Sequence, residues 1–326
     1  MTGPLVTVCM PSYNHARFLV AALESVSRQT FHDFEFIVVD DCSSDESVDI
    51  IEKWLPEQAF PCTFVKHAEN RGICRTFNEM LSIARGKYWA GVASDDRWHP
   101  EFVERFARRM EQLPEDVAVL YGDVEIIDAQ GRVSPLPYNG GFLQAGDPPE
   151  GRVFRDLWTL NFVPAMATMS RISCLRSVGG YDESLYYEDW DMWLRLADRY
   201  SFAFQPGILA QRRVASSSMT SSSEGRRSWH ESIRQIRLMW FARVGAQHQA
   251  PEETLYWPNG AEDLYSIGHP SAVRFARKKW HLEKSLRSLL LLTCIRMGLP
   301  YSGFEGLLRC ARTLRGVTEY RFRPHD

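Results

Sequence analysis

Phe36-Ile37-Val38-Val39 is an unbroken apolar run that stops at Asp40-Asp41. Three of its four residues are β-branched, and an acidic pair closes it, which reads as a strand buried on both faces. Upstream, Val6–Met10 is a second apolar run, ending at Pro11. Between the two, Phe18, Leu19, Ala22, Leu23 and Val26 recur at helical spacing and form one apolar face. Downstream, Asp45 stands as a helix N-cap before Val48, Ile51 and Leu55. A third strand, Cys62–Val65, precedes Gly72 and a helix carrying Ile73, Phe77, Met80, Leu81 and Ala84, which Gly86 ends. A fourth strand, Tyr88–Ala93, again runs into acids, Asp95 and Asp96. Repeated strand–helix–strand units predict an α/β fold, a mostly parallel sheet flanked by helices. Such sheets bind ligands beyond the carboxyl ends of their strands, the crevice into which both Asp pairs should project.

From Val117 the pattern changes. Val117–Asp128 reads as extended, Asp128-Ala129-Gln130-Gly131 as a turn, and the Pro- and Gly-rich residues 134–151 as a loop. Arg171–Val178 is a short helix stopped by Gly179-Gly180, Glu188–Tyr200 is another helix, and Phe202–Gln205 is extended. A Ser/Thr-rich stretch, Ser216–Ser223, marks a boundary beyond which helices and loops alternate.

The chain has 326 residues and a formal charge of −3, unevenly spread. Residues 225–326 hold 17 Lys and Arg against 9 Asp and Glu, whereas the preceding residues hold 21 against 32, so the two parts should meet different partners. Seven scattered cysteines form no C-x-x-C pair, which argues against a zinc site or a disulfide framework. The longest strongly apolar run, Leu289–Ile295, is far shorter than the roughly 20 residues of a membrane span. With no basic-then-apolar signal segment after Met1, the expected location is cytoplasmic.

Ser94-Asp95-Asp96 carries the strongest chemical signal. Adjacent carboxylates in one crevice repel, and a bound cation keeps both ionised. An all-oxygen set suits Mg²⁺ or Mn²⁺ shared with a substrate phosphate. Turn formation, or capping of the helix at Pro100, is the competing explanation.

The wider context resembles the family 2 glycosyltransferases. The resemblance rests on Val6-Thr-Val-Cys-Met-Pro-Ser-Tyr-Asn14, Leu23-Glu-Ser-Val-Ser-Arg-Gln-Thr30 and Phe36-Ile-Val-Val-Asp-Asp-Cys-Ser-Ser-Asp45. It continues through Asn70-Arg-Gly72, Ala84-Arg-Gly-Lys-Tyr88, Ser94-Asp-Asp96, Gly179-Gly-Tyr-Asp-Glu183 and Glu188-Asp-Trp-Asp-Met-Trp193. It implies a GT-A fold over residues 1–222, with a nucleotide-binding half to about 122 and an acceptor-binding half from about 123, followed by a basic helical region, 223–326. It implies transfer, with inversion, from a nucleotide-diphosphate sugar (UDP- or dTDP-linked) to an acceptor hydroxyl in cell-surface polysaccharide or lipopolysaccharide assembly. Position by position, Pro11, Ser12, Tyr13 and Asp41 match nucleotide-contacting residues, with Asp41 accepting from the base and Asp40 left to order the turn. Asp95 and Asp96 match the ribose-diphosphate and Mn²⁺ or Mg²⁺ motif, with Asp96 as the direct ligand. Asp189 matches the general base, which must sit within hydrogen-bond reach of the acceptor hydroxyl.

Alternatives stay open at several positions. Glu188 and Asp191 share a helix face and compete with Asp189 as base, while acids in a first helical turn also serve as caps. Arg71 and Arg75 either meet the diphosphate or lie exposed. Where the family often carries a His after the last strand, this sequence has Ala215. Residues 272–323 hold 12 basic and 3 acidic side chains among leucines, which suggests contact with an anionic membrane or a lipid-linked saccharide acceptor, or plain packing. Nucleic acid is not expected, since no recognition motif accompanies the charge. A catalytically silent nucleotide-sugar-binding protein and a dinucleotide-dependent oxidoreductase are the competing functions. Pro11-Ser-Tyr-Asn14 stands where the latter needs G-x-G-x-x-G.

Overall fold

The computed structural model describes residues 3–137, 148–186, 189–214, 223–247, 260–268 and 270–314. The chain divides into two compact units, 1–233 and 234–326.

In the first unit, β1 (Val6–Ser12), α1 (Ala16–Ser27), β2 (Phe34–Asp40), α2 (Ser47–Trp54), β3 (Cys62–Lys66), α3 (Ile73–Ile83) and β4 (Tyr88–Gly91) follow one another as expected. Then come β5 (Arg97–Trp98), α4 (Phe102–Gln112), β6 (Val117–Ile127), β7 (Val133–Pro137), α5 (Phe154–Thr159), β8 (Thr168–Arg171), α6 (Ile172–Ser177), α7 (Asp189–Arg199) and β9 (Ser201–Arg213). The described strands form one sheet ordered β3-β2-β1-β4-β8-β6-β9-β5, with β7 against β6. The β3-β2-β1-β4 part is parallel throughout. Beyond it β8 enters antiparallel to both β4 and β6, so the sheet is mixed.

Every residue of β2 is buried, as its unbroken apolar run requires. Val6, Val8, Phe36, Val38, Tyr88 and Ala90 join Leu19, Leu23, Phe102 and Phe106 in one core. Full burial of each such side chain contributes about 1.5–3 kcal/mol. Glu35 in this layer is 3 % exposed, and it accepts from Thr7 Oγ1 at 2.7 Å and Arg85 Nε at 2.8 Å.

Several sequence expectations are corrected. Pro11 does not end its strand, because β1 runs on to Ser12. The β4 ladder stops at Cys9–Gly91, so the missing N–H of Pro11 falls beyond the last pairing on that side. Asp45 is not the formal N-cap of α2, a place taken by Glu46. It acts one residue further out, accepting from Ser47 N at 3.0 Å and from Ala16 N at 2.9 Å, and so ties two helix starts together. Gly86 lies past the end of α3, and its role is close approach: a Cβ there would sit 2.6 Å from Thr7 N. Arg171 both ends β8 and is the N-cap residue of α6, so the short helix stands where it is expected, and its buried guanidinium donates to Val117 O at 2.9 Å. Part of the expected 134–151 loop is strand β7, paired with β6, while 138–147 lies outside the described residues. The turn at Asp128–Gly131 forms as read, with Asp128 Oδ1 accepting from Gln130 N and Arg132 N.

The second unit is helical, taking in part of α8 (Ser223–Gln247), then α9 (Gly260–Ser266), α10 (Ala272–Glu283), α11 (Leu286–Arg296) and α12 (Tyr301–Leu314). Lys279, one of the basic side chains of 272–323, is buried and pairs with the equally buried Glu262 at 3.2 Å. Arg277 by contrast is exposed. Leu289 on α11 and Met297 just past its end are exposed, the latter 68 %, while Leu291 and Leu292 are buried, so leucines stand on both sides of the helix. No helix among the described residues is long and apolar enough to cross a membrane.

Candidate active site

The carboxyl ends of β1, β2 and β4 bring three sequence motifs together. Asp40 is buried and fully engaged, accepting from Ser12 Oγ at 3.1 Å, Ser43 N at 2.7 Å and Ser43 Oγ at 2.7 Å. It orders the turn, and Ser12 spends its hydroxyl on that brace. The two loops are further stitched by Asn14, whose Oδ1 accepts from Ser44 N at 2.8 Å. Asn14 and Cys42 both take left-handed backbone conformations, with φ of 52° and 66°. Tyr13 beside them is 47 % exposed, so its ring faces open space.

Asp41 is wrapped by the Asn70-Arg71-Gly72 loop. Its Oδ1 receives His67 Nδ1 at 2.6 Å and Arg71 N at 2.8 Å, and its Oδ2 receives Gly72 N at 2.9 Å. Gly72 has φ of 84°, which lets the chain turn its amides toward the carboxylate. His67 is buried between two acids, its Nε2 lying 2.8 Å from Glu79 Oε2. The side chains of Arg71 and Arg75 lie elsewhere: Arg71 pairs with Glu79 at 3.2 Å and Arg75 with Glu183 at 3.2 Å. The Arg71 backbone, not its guanidinium, reaches Asp41.

Asp95 and Asp96 follow β4 and part company. Asp96 is 3 % exposed and its Oδ1 accepts from Arg213 N, at the end of β9, at 2.7 Å. Burial, reinforced by the Asp95 charge, holds its carboxyl well above the usual carboxylate range. Both effects disfavour the ionised carboxylate, which a bound cation would restore. Arg213 also donates to Asp95 O at 2.8 Å and to Asp128 O at 2.7 Å, and lies over the Phe18 ring. Neither Asp caps the following helix, whose N-cap is Glu101. Asp95 is partly exposed and its Oδ2 faces His15 Nε2 at 3.9 Å. Among the described residues no three His, Cys, Asp or Glu side chains converge as a complete metal site. The acid pair with its unmet charge therefore fits a hard divalent ion only if further ligands come from a substrate.

Asp189 opens α7, half-buried, and its Oδ1 accepts from Asn161 Nδ2 at 3.1 Å. Asp191 is 1 % exposed and pairs with Arg195 Nε at 2.7 Å. Arg195 donates onward to Val178 O and Gly180 O. Asp191, the alternative base, is thereby a structural anchor for the Gly179-Gly180 turn. Glu188 and Ala215 lie outside the described residues. A cavity of about 210 Å³ lined by Ala21, Glu24, Arg28, Arg97, Trp98 and Gln211 is separate from these acids. It is smaller than the roughly 300–1,000 Å³ of small-molecule sites.

Sequence reasoning missed His15 and His67. His15 directly extends Pro11-Ser-Tyr-Asn14 and was legible as a candidate; His67 gave no local signal.

The sequence profile of glycosyl transferase family 2 matches residues 7–175, and the chain belongs to that family. It is a glycosyltransferase with a GT-A-type fold. An uncharacterised glycosyltransferase of Methanocaldococcus jannaschii is 30 % identical over 221 residues, 66 % of this chain and 72 % of that protein. The putative colanic acid biosynthesis glycosyl transferase WcaA of Escherichia coli is 31 % identical over 136 residues, 41 % of this chain and 47 % of its own length. S. aureus TarS 1–349, solved with UDP-GlcNAc, superposes with a TM-score of 0.58 at 18 % identity, covering 88 % of this chain and 78 % of that one. The mannosyltransferase PcManGT of Pyrobaculum calidifontis, solved with GDP-Man and Mn²⁺, gives 0.57 at 18 % identity, covering 90 % and 80 %. Family membership removes the oxidoreductase alternative.

Proposed function

We propose that this glycosyltransferase moves a sugar from a UDP- or dTDP-linked donor to the hydroxyl of a saccharide or lipid-linked saccharide, with inversion, in cell-surface polysaccharide assembly. The observation that carries the reading is the convergence of Asp41, Asp95 and Asp96 at adjoining strand ends. The solved TarS complex with UDP-GlcNAc and the name of WcaA support the donor and pathway class.

Asp41 has acceptor capacity to spare: among the described residues Oδ1 takes two donors, but Oδ2 takes only Gly72 N. Its remaining lone pair suits an imide N–H of a pyrimidine base. Tyr13 and Pro11 border the same crevice. Asp95 and Asp96 would hold Mn²⁺ or Mg²⁺, with diphosphate oxygens and water completing the shell. That ion would neutralise charge developing on the departing diphosphate. Asp189 takes the acceptor hydroxyl proton as the new bond to the anomeric carbon forms and the bond to the diphosphate oxygen breaks. Attack from the face opposite the leaving group inverts the centre. Residues 1–222 form the catalytic domain and 223–326 a basic region that rests on anionic membrane.

A donor-hydrolysis screen across nucleotide sugars, with Mn²⁺ or Mg²⁺ added, tests the reading. Turnover of one uridine or thymidine diphosphate sugar is expected. Binding of such donors with no turnover, even with acceptor saccharides present, would leave the silent-binder alternative standing.

A further inference from the structure

His15 and Asp95 meet where the β1 and β4 loops adjoin, with Nε2 and Oδ2 3.9 Å apart and side chains 19 % and 15 % exposed. That separation is too long for a hydrogen bond. The other ring nitrogen, Nδ1, lies 2.8 Å from Ser94 Oγ. In the tautomer whose Nδ1–H donates to that hydroxyl, Nε2 carries a lone pair and two acceptors face one another across the gap, an arrangement that a cation between them satisfies.

Imidazole nitrogen and carboxylate oxygen each bond divalent ions at about 2.0–2.2 Å, so adjacent ligands of one ion stand roughly 3 Å apart, and a closure of about 1 Å brings this pair onto a shared ion. Metal-bound histidines characteristically donate their second N–H to a neighbouring oxygen, which fixes the tautomer, and Ser94 Oγ is such an oxygen. The backbone of His15 is also held rigidly. His15 O receives Phe18 N at 2.8 Å and Leu19 N at 3.0 Å, and His15 N donates to Ser47 Oγ at 3.3 Å. The left-handed turn at Asn14 fixes the approach from the other side.

We infer that His15 Nε2 is a ligand of the divalent cation, beside Asp95 Oδ2, and that it biases the site toward Mn²⁺ over Mg²⁺. The inference rests on the cation-dependent transferase reading. The bias follows from ligand chemistry: Mg²⁺ prefers an all-oxygen shell, whereas imidazole suits transition metals.

The test is pulsed EPR on the full chain with Mn²⁺ and UDP. The wild-type complex is expected to show electron spin echo modulation from a directly bound imidazole ¹⁴N, and growth on ¹⁵N-histidine should replace that pattern. His15→Ala should lose the nitrogen signal and bind Mn²⁺ about 10-fold or more weakly in the presence of UDP, with Mg²⁺ binding little changed. His15→Gln, which retains bulk and polarity, should lose the signal too. Mn²⁺ bound without nitrogen modulation in the wild type overturns the inference and leaves the transferase reading intact. A nitrogen signal surviving in His15→Ala assigns it to another histidine and overturns the inference as well. Failure of the wild type to take up Mn²⁺ with UDP sinks both.

Discussion

Asp189 and Asp191 are two residues apart on α7, and their replacement by Asn should separate chemistry from stability. Asp191 is 1 % exposed against 19 % for Arg195, and Arg195 also holds two carbonyls of the Val178–Gly180 turn. Breaking a buried pair costs about 3–5 kcal/mol. Arg195 keeps its carbonyl partners and some solvent, so Asp191→Ala belongs at the low end, about 3 kcal/mol. For a unit of this size that corresponds to a melting shift of roughly 6–12 °C. Asp191→Asn keeps one acceptor oxygen and should cost only about 1–2 kcal/mol, with turnover retained below the melt. Asp189→Asn keeps an acceptor for Asn161 Nδ2 and should stay within about 0.5 kcal/mol of wild type. Its turnover should fall on the order of 10²–10⁴, the scale of a lost general base. Calorimetric melts and a donor-saturated transfer assay on the same preparations read both quantities. Turnover lost in folded Asp191→Asn and kept in Asp189→Asn would refute the assignment and return the proton to the buried acid.

Asp96→Ala should abolish transfer and remove the Mn²⁺ dependence of UDP binding, read by calorimetry with and without the ion; equal cation dependence in wild type and variant would contradict its role. Because the folded protein holds the Asp96 carboxyl above its unfolded value, the native state binds the extra proton, and without metal stability should fall as pH rises above about 4. Melts across pH with a chelator should show that slope in the wild type, a smaller one in Asp96→Asn, and its reversal by Mn²⁺. Lys279→Met should leave the buried Glu262 carboxylate with Arg287 at 3.5 Å as its remaining cation and destabilise the second unit by about 3 kcal/mol, the low end for a broken buried pair, seen as an earlier separate transition. Vesicles containing anionic lipid should capture the protein at low salt and release it at high salt. Glu at the exposed Arg277 and Lys284 should weaken capture, and a wild type that never binds them would leave the basic region without its proposed partner.

The parallel half of the sheet was legible because β1, β2 and β4 are buried on both faces, and burial writes itself as unbroken apolar runs such as Phe36–Val39. The acidic strand ends were legible for the same reason: an apolar run that halts at Asp40-Asp41 marks where the chain leaves the core. The order of β8, β6 and β9 was not, since antiparallel insertion is decided by long-range pairing, and Arg171 and Arg213 show their partners only once distant carbonyls arrive. Equivalent-looking carboxylates likewise received their roles from neighbours far along the chain. Arg195 and the Gly179-Gly180 turn made Asp191 an anchor, the Asn70–Gly72 amides wrapped Asp41, and Arg213 N closed over Asp96. Sequence by itself determined which residues could ionise and roughly where each strand would deliver them. Tertiary structure decided which of those charges are buried, which are already satisfied and which remain open to a ligand, because desolvation and hydrogen bonding act through space and not along the chain.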